Sequence, residues 1–109
     1  QKAYGSYEKL LADPKVEAVY IPLPNTMHYE WTIRALKSGK HVLCEKPLAP
    51  TEAQAEEMFK AAEENHVYLM EAFAYQHSPY IAAVRKEIEN GTIWSLPTSL
   101  RIMTRRISV

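Results

Sequence analysis

Cysteine is almost missing from this chain: Cys44 stands alone, so no internal disulfide can form. In its apolar setting the thiol reads as a small buried hydrophobe. A reducing, cytoplasmic setting is the expectation. Net charge is missing as well, because 13 basic and 13 acidic residues cancel. That leaves no electrostatic footprint for nucleic acid or for an anionic membrane, and neither is expected as a partner. No apolar run approaches the roughly 18–20 residues of a membrane span, and no signal peptide opens the chain. Glycine is scarce: only Gly5, Gly39 and Gly91 occur, and they cannot make a Gly-x-Gly-x-x-Gly phosphate turn. The four histidines have no metal-ligand spacing with Cys44, so no metal site is expected. Internal repeats and low-complexity segments are absent.

What is present reads as an alternation of strand and helix. A hydrophobic content of 47% with mixed charge indicates a globular chain, and 109 residues suffice for one domain or part of one. Gln1–Tyr4 has the look of a strand end. Ser6 caps a short helix from Tyr7 to about Ala12. Ala18-Val19-Tyr20-Ile21 is a strand closed by Pro22-Leu23-Pro24. Asn25 or Thr26 caps a helix over about 27–38, with Met27, Trp31, Ala35 and Leu36 as its apolar stripe. Glu30 and Arg34 form an i,i+4 pair on its other side. Gly39 stops it. His41–Cys44 is a second strand. Thr51 and Gln54 have capping-box spacing at the head of a third helix ending at Asn65. Ala55, Met58, Phe59 and Ala62 mark its buried face, and Glu56 with Lys60 is a further i,i+4 pair. Val67–Met70 is a third strand. Ser78-Pro79 opens a helix with Ile81, Val84 and Ile88 on its apolar face, and Asn90-Gly91 stops it. Leu96–Met103 is β-like.

This order predicts an α/β fold with parallel strands and right-handed crossovers. The three strands are read as neighbours, so their carboxyl ends lie along one edge. There Pro22–Asn25, Glu45–Pro47 and Glu71–Gln76 converge, and in open α/β sheets the ligand binds outside that edge. Parallel strands are normally buried on both faces. The two crossover helices cover one face only. The chain is therefore expected to be a piece of a larger protein.

The stretch with most chemical content is Gly39-Lys40-His41-Val42-Leu43-Cys44-Glu45-Lys46-Pro47-Leu48-Ala49. A carboxylate, an amine and a proline follow an apolar strand directly. Proline cannot continue the ladder, so Pro47 turns the chain and leaves Lys46 aimed at the crevice. A lysine partly desolvated there could pass a proton near neutrality.

These eleven positions resemble the Glu-Lys-Pro signature of the Gfo/Idh/MocA family of NAD(P)-dependent oxidoreductases. Tyr4–Leu11 and Val67–Pro79 are similar to the branch that holds dimeric dihydrodiol dehydrogenase and glucose–fructose oxidoreductase. The likeness weakens after Gly91. It implies the C-terminal part of a Rossmann-type parallel sheet with helices, followed by the start of an α+β substrate domain. Residues 1–78 would be the second half of the NAD(P)-binding domain, and residues 79–109 a linker helix and the first strand of the substrate domain. The glycine turn and ribose-binding residue would precede Gln1. The implied reaction moves a hydride between NAD or NADP and a hydroxyl or carbonyl of a sugar, polyol or dihydrodiol. Lys46 matches the family's catalytic lysine, which hydrogen-bonds the reacting oxygen. Glu45 matches the acid near the nicotinamide ribose, and the bond before Pro47 is expected to be cis. Pro22, Leu23, Pro24, Asn25 and His28 match the turn beside the nicotinamide. A full-length protein of this kind is expected to be a homo-oligomer.

Two departures stand out. Gln76 occupies a cofactor-side place where the family often has Arg, so a charged phosphate contact is not expected there. Trp94 stands where another glycine usually follows Gly91-Thr92-Ile93. Arg101, Arg105 and Arg106 match nothing and receive no role. Tyr75 and His77 lie near the implied site, whereas His41 and His66 read as structural and surface residues. The rival reading is a non-catalytic nucleotide-sensing or scaffold protein with the same fold. A flavodoxin-like regulatory domain is less consistent, because acids do not cluster at the first strand's end.

Overall fold

Three short parallel strands organise the chain, in the order β1 (Ala18–Ile21), β2 (His41–Cys44) and β3 (Leu69–Glu71). The computed structural model describes residues 2–92. The β-like stretch Leu96–Met103, Trp94 and the three arginines near the carboxyl terminus lie outside the described residues. By compactness the chain divides into Gln1–Ala72 and Phe73–Val109.

In the first unit α1 (Tyr7–Leu11) precedes β1, α2 (Asn25–Lys37) joins β1 to β2, and α3 (Glu52–Glu64) joins β2 to β3. The register aligns Val19, Val42 and Leu69 in one row, and Tyr20, Leu43 and Met70 in the next. Successive residues of a strand face opposite ways, so the two rows lie on opposite faces. Val42 and Leu69 are buried, while Tyr20, Leu43 and Met70 are exposed. One face of the sheet is thus left uncovered among the described residues, the arrangement expected when both crossover helices lie on the other. Two crossovers stepping in one direction put both helices on one side of the sheet. The core is that side: Ile21, Val42, Cys44 and Leu69 from the strands, Ala35 and Leu36 from α2, Met58, Ala61 and Ala62 from α3, and Leu48.

The buried stripe of α2 differs from the expected one. His28, Thr32, Ala35 and Leu36 are buried, and Met27 and Trp31 are only half-buried. The helix is turned about one residue from the position that apolar content alone suggests, which puts a histidine and a threonine inside. Trp31 instead meets the Tyr7 ring edge-on, with centroids 4.8 Å apart, and lies against the Arg34 guanidinium.

Caps set several boundaries. Ser6 Oγ accepts from the Lys9 N–H, and Thr51 Oγ1 from the Gln54 N–H. The reciprocal bond of the Thr51 capping box is not made, since Gln54 Oε1 is buried without a partner. Neither Asn25 nor Thr26 caps α2: the helix begins at Asn25, and Pro24 holds the cap position with no side-chain bond. Gly39 ends α2 with φ +72°, a conformation glycine adopts without a Cβ penalty. Glu30 pairs with Arg34 as expected, but Lys60 pairs with Glu64 at 3.8 Å rather than with Glu56. Lys2–Tyr4 is not a strand end. Lys2 Nζ and Tyr4 Oη both donate to Asp13, whose carboxyl is held well below the usual range, chiefly by the lysine. β3 begins at Leu69, two residues later than expected, because Val67 N–H is still bonded to Ala62 O at the end of α3.

That helix end places His66 at φ +54°. A left-handed conformation costs a non-glycine residue roughly 1–2 kcal/mol. His66→Gly should therefore stabilise the protein, after the extra unfolded-state freedom of glycine is subtracted, by up to about 1 kcal/mol. The effect should appear as a higher urea midpoint with an unchanged slope.

The described part of the second unit holds a 3₁₀ turn (Ala74–His77) and α4 (Pro79–Glu89). Ser78 Oγ accepts from the Ile81 N–H, and Pro79 takes the first helical position as expected. Ile81, Val84 and Ile88 are half-buried. Among the described residues, no helix is long and apolar enough to cross a membrane.

Candidate functional site

The carboxyl ends of β1 and β2 lie side by side, because Ile21 pairs with Cys44. The chain leaves β1 through Pro22-Leu23-Pro24 into α2, and leaves β2 through Glu45-Lys46-Pro47. Glu45 N–H still donates to Ile21 O at 3.1 Å, so the two exits start from one level. The Lys46–Pro47 bond is cis, as the Glu-Lys-Pro resemblance implied.

Three side chains hold these exits together. His28, on the first turn and a half of α2, sits under both. Its Nδ1 is 2.8 Å from Pro47 O and its Nε2 2.7 Å from Leu23 O. Tyr20 Oη donates to Glu45 Oε1 at 2.5 Å from the neighbouring strand. Glu71, at the end of β3, accepts from the Leu48 N–H at 2.7 Å, and the Ala72 N–H donates to Cys44 O at 2.8 Å. The turn carrying Lys46 is thus braced from β1, α2 and β3.

The expected cofactor-side contact of His28 needs correction. Its ring has 0% exposure and both nitrogens are engaged by main-chain oxygens, so the ring cannot reach a ligand at the surface. Lys46 is exposed, and among the described residues its amine makes no ion pair. Pro22, Pro24, Asn25 and Pro47 are exposed along the same edge, and Leu23 and Glu45 half-exposed. Gln76 lies in the 3₁₀ turn of the second unit. His41 is structural as expected: Nδ1 accepts from the Tyr68 N–H at 2.9 Å, and its ring stacks on that of Tyr68.

Sequence reasoning misses Tyr20 altogether, and it places Glu71 at the edge without its bracing bond. Tyr20 looks like an ordinary strand aromatic, and only the register brings it beside the Glu45 turn. Glu71 gives a weak signal as an acid at the tip of an apolar strand. Its alignment with Cys44 is a tertiary fact.

The electrostatics follow from these bonds. The Tyr20 hydroxyl, and to a lesser degree the Lys46 N–H and amine, hold the Glu45 carboxyl below its ordinary range. The same bond raises the Tyr20 phenol. Burial pushes the Cys44 thiol up, so it stays protonated and a poor nucleophile. Tyr20→Phe should move the Glu45 titration midpoint upward, as followed by carboxyl carbon-13 NMR. The sign is set by the lowered folded value. The bond's contribution is in place above the ordinary glutamate range and is lost as pH falls through the folded midpoint. An unmoved midpoint would show that the bond is not formed in solution.

The edge suits a ligand rich in hydrogen-bond acceptors. The α2 N-terminus has no side-chain cap: the Met27 N–H bonds the Pro24 carbonyl at 2.8 Å, and no side chain takes those of Asn25 and Thr26. Among the described residues no three His, Cys, Asp or Glu side chains gather as a metal site would need.

Comparison with known proteins agrees with this layout. The sequence model of an oxidoreductase family with an NAD-binding Rossmann fold matches residues 1–73. A D-xylose 1-dehydrogenase (NADP(+)) of Haloferax volcanii is 52% identical over 77 residues, 71% of this chain and 24% of that protein. The trans-1,2-dihydrobenzene-1,2-diol dehydrogenase of Xenopus laevis is 43% identical over 92 residues, 84% of this chain and 28% of that protein. Among solved structures, KijD10, a 3-ketoreductase from Actinomadura kijaniata in complex with NADP and TDP-benzene, superposes with a TM-score of 0.74. It is 45% identical and covers 81% of this chain, which spans 27% of it. The chain thus spans about a quarter of the length of these relatives. With a family match over most of its residues, a fold shared with a solved ketoreductase and the Glu-Lys-Pro turn at a strand's carboxyl end, the chain belongs to the Gfo/Idh/MocA oxidoreductase family.

Proposed function

We propose that the protein carrying this chain transfers a hydride between NAD or NADP and a hydroxyl or carbonyl of a sugar, polyol or dihydrodiol. The observation that carries this reading is the joined pair of turns at the β1 and β2 carboxyl ends, with the Lys46 amine exposed on them. The names of the relatives support the substrate class: they act on xylose, a dihydrobenzenediol and a ketone. Residues 1–78 serve as the second half of the cofactor-binding domain. Residues 79–109 begin the substrate domain.

In this reading the nicotinamide, when bound, supplies or accepts the hydride. Lys46 holds and moves the proton of the substrate oxygen at Nζ. Pro22, Leu23, Pro24 and Asn25 would line the cofactor's side of the edge, and the uncapped Asn25 and Thr26 N–H groups would be open to its acceptor atoms. Glu45, kept ionised by Tyr20, would accept a hydrogen bond from a ribose hydroxyl, and it already accepts one from the Lys46 backbone N–H at 3.3 Å. Pro47 turns the chain so that Lys46 points off the sheet edge. A cytoplasmic setting accords with the single buried thiol, and the full-length protein is read as a homo-oligomer.

The test is an absorbance assay of reduced nicotinamide on the full-length protein. NAD and NADP would each be offered with xylose, several polyols and a dihydrodiol. Turnover with at least one pair is expected. Tight cofactor binding with no turnover on any of them would favour the nucleotide-sensing alternative.

A further inference from the structure

His28 has a ring whose proton inventory can be counted. Nδ1 lies 2.8 Å from Pro47 O and Nε2 lies 2.7 Å from Leu23 O. A main-chain carbonyl only accepts hydrogen bonds. A neutral imidazole has one N–H and one lone pair, so it can satisfy only one of the two oxygens. The other contact would then set a nitrogen lone pair against an oxygen lone pair at hydrogen-bonding distance. With 0% exposure the ring has no solvent to relieve that conflict. Only the imidazolium, with two N–H groups, donates both ways.

We propose that His28 is a positioning residue that clamps the Pro22–Asn25 turn to the Lys46–Pro47 turn as a buried, doubly protonated imidazolium. It touches neither cofactor nor substrate. Its task is to fix the backbone from which Lys46 projects, and the proposal rests on the reading of that edge as the cofactor side. A buried charge is costly unless it is paired and hydrogen-bonded. Here two charge-assisted bonds to carbonyls offset the cost. Glu45 precedes Pro47 by two residues, and its carboxyl is held low first by the Tyr20 hydroxyl. The titratable groups at the strand ends beside the ring are Tyr20 on β1, Cys44, Glu45 and Lys46 at the end of β2 and Glu71 at the end of β3, and α2 itself carries Tyr29, Glu30, Arg34 and Lys37. The acids Glu30, Glu45 and Glu71 match the cations Arg34, Lys37 and Lys46 in number, so the charge count is balanced.

The experiment is nitrogen-15 NMR on the full-length protein labelled at histidine, with the His28 ring assigned through its own backbone. Both ring nitrogens are expected to carry slowly exchanging protons near neutral pH. One nitrogen with the signature of a free lone pair would overturn the proposal, and this measurement needs no variant. The positioning half is read from His28→Gln, which keeps a donor on one side only. Turnover should fall by up to about 100-fold, as a displacement of about an ångström at a reacting group can cost, with the cofactor Kd moving much less. A folded His28→Gln protein with unchanged kcat would overturn it. If the ring carries both protons but Lys46→Met leaves turnover intact, the clamp stands and the catalytic reading of Lys46 fails.

Discussion

Lys46→Met in the full-length protein is expected to lower kcat by roughly 10²–10⁴-fold, the range for a placed proton-transfer group, while the cofactor Kd stays close to wild type. The amine acts on the substrate oxygen as the hydride moves, so its effect is concentrated in the transition state. Lys46 is exposed and its amine makes no ion pair among the described residues, so removing the charge strips no partner and leaves no orphaned buried group. Methionine keeps the bulk of the stem, and the turn is braced through other atoms: the Pro47 carbonyl by His28, the Leu48 N–H by Glu71. The fold should therefore survive. Lys46→Arg should rescue poorly, because a guanidinium keeps its proton at any working pH. The measurements are kcat for each variant and the cofactor Kd by fluorescence. A Lys46→Met protein with more than about a tenth of wild-type turnover, outside that range, would make Lys46 a structural residue.

The largest effect on stability is expected at Leu36. Its side chain is fully buried in α2, among the residues that pack that helix against α3 and the sheet, and Met58 of α3 is equally enclosed. Leu36→Ala should cost about 2–5 kcal/mol, the range for emptying a packed core site. Native domains hold only about 5–15 kcal/mol in total, so the variant should be close to unfolding. The comparison that isolates the cause is Leu43→Ala. Leu43 is also a leucine in a regular element, but it lies on the uncovered face of the sheet at 38% exposure. Its loss should cost less than about 1 kcal/mol, as most substitutions outside a packed core do. Urea titrations of both variants check the pair. Equal losses would mean that the exposed face is packed in solution.

The two leucines also show where sequence reading stops. Nothing in the apolar content around Leu36 or Leu43 separates them. Both stand in runs that look buried. The difference arises because two crossovers step the same way and place α2 and α3 on one face. The same limit explains α2. Apolar content selected Met27 and Trp31 as its inner stripe, yet His28 and Thr32 are the buried pair. Periodicity locates a face to within about a residue, and 100° of helix rotation separates neighbours. A histidine that bonds two turns is chosen by what lies beneath it, which no local pattern records.

The sequence by itself determined the order of strands and helices, because alternating apolar runs, Ser6, Thr51, Ser78, Gly39 and the prolines act through neighbours a few residues away. It also located the Glu-Lys-Pro turn at a strand's end, since Pro47 cannot continue a ladder wherever the chain runs. Only the tertiary structure decided which groups hold that turn. Tyr20 reaches Glu45 because Tyr20 pairs with Leu43, Glu71 reaches Leu48 because Glu71 pairs with Cys44, and His28 reaches Leu23 and Pro47 because α2 packs beneath both turns. Those contacts join residues up to 25 positions apart. They depend on register and on helix rotation, which arise only when the strands pair and the core closes.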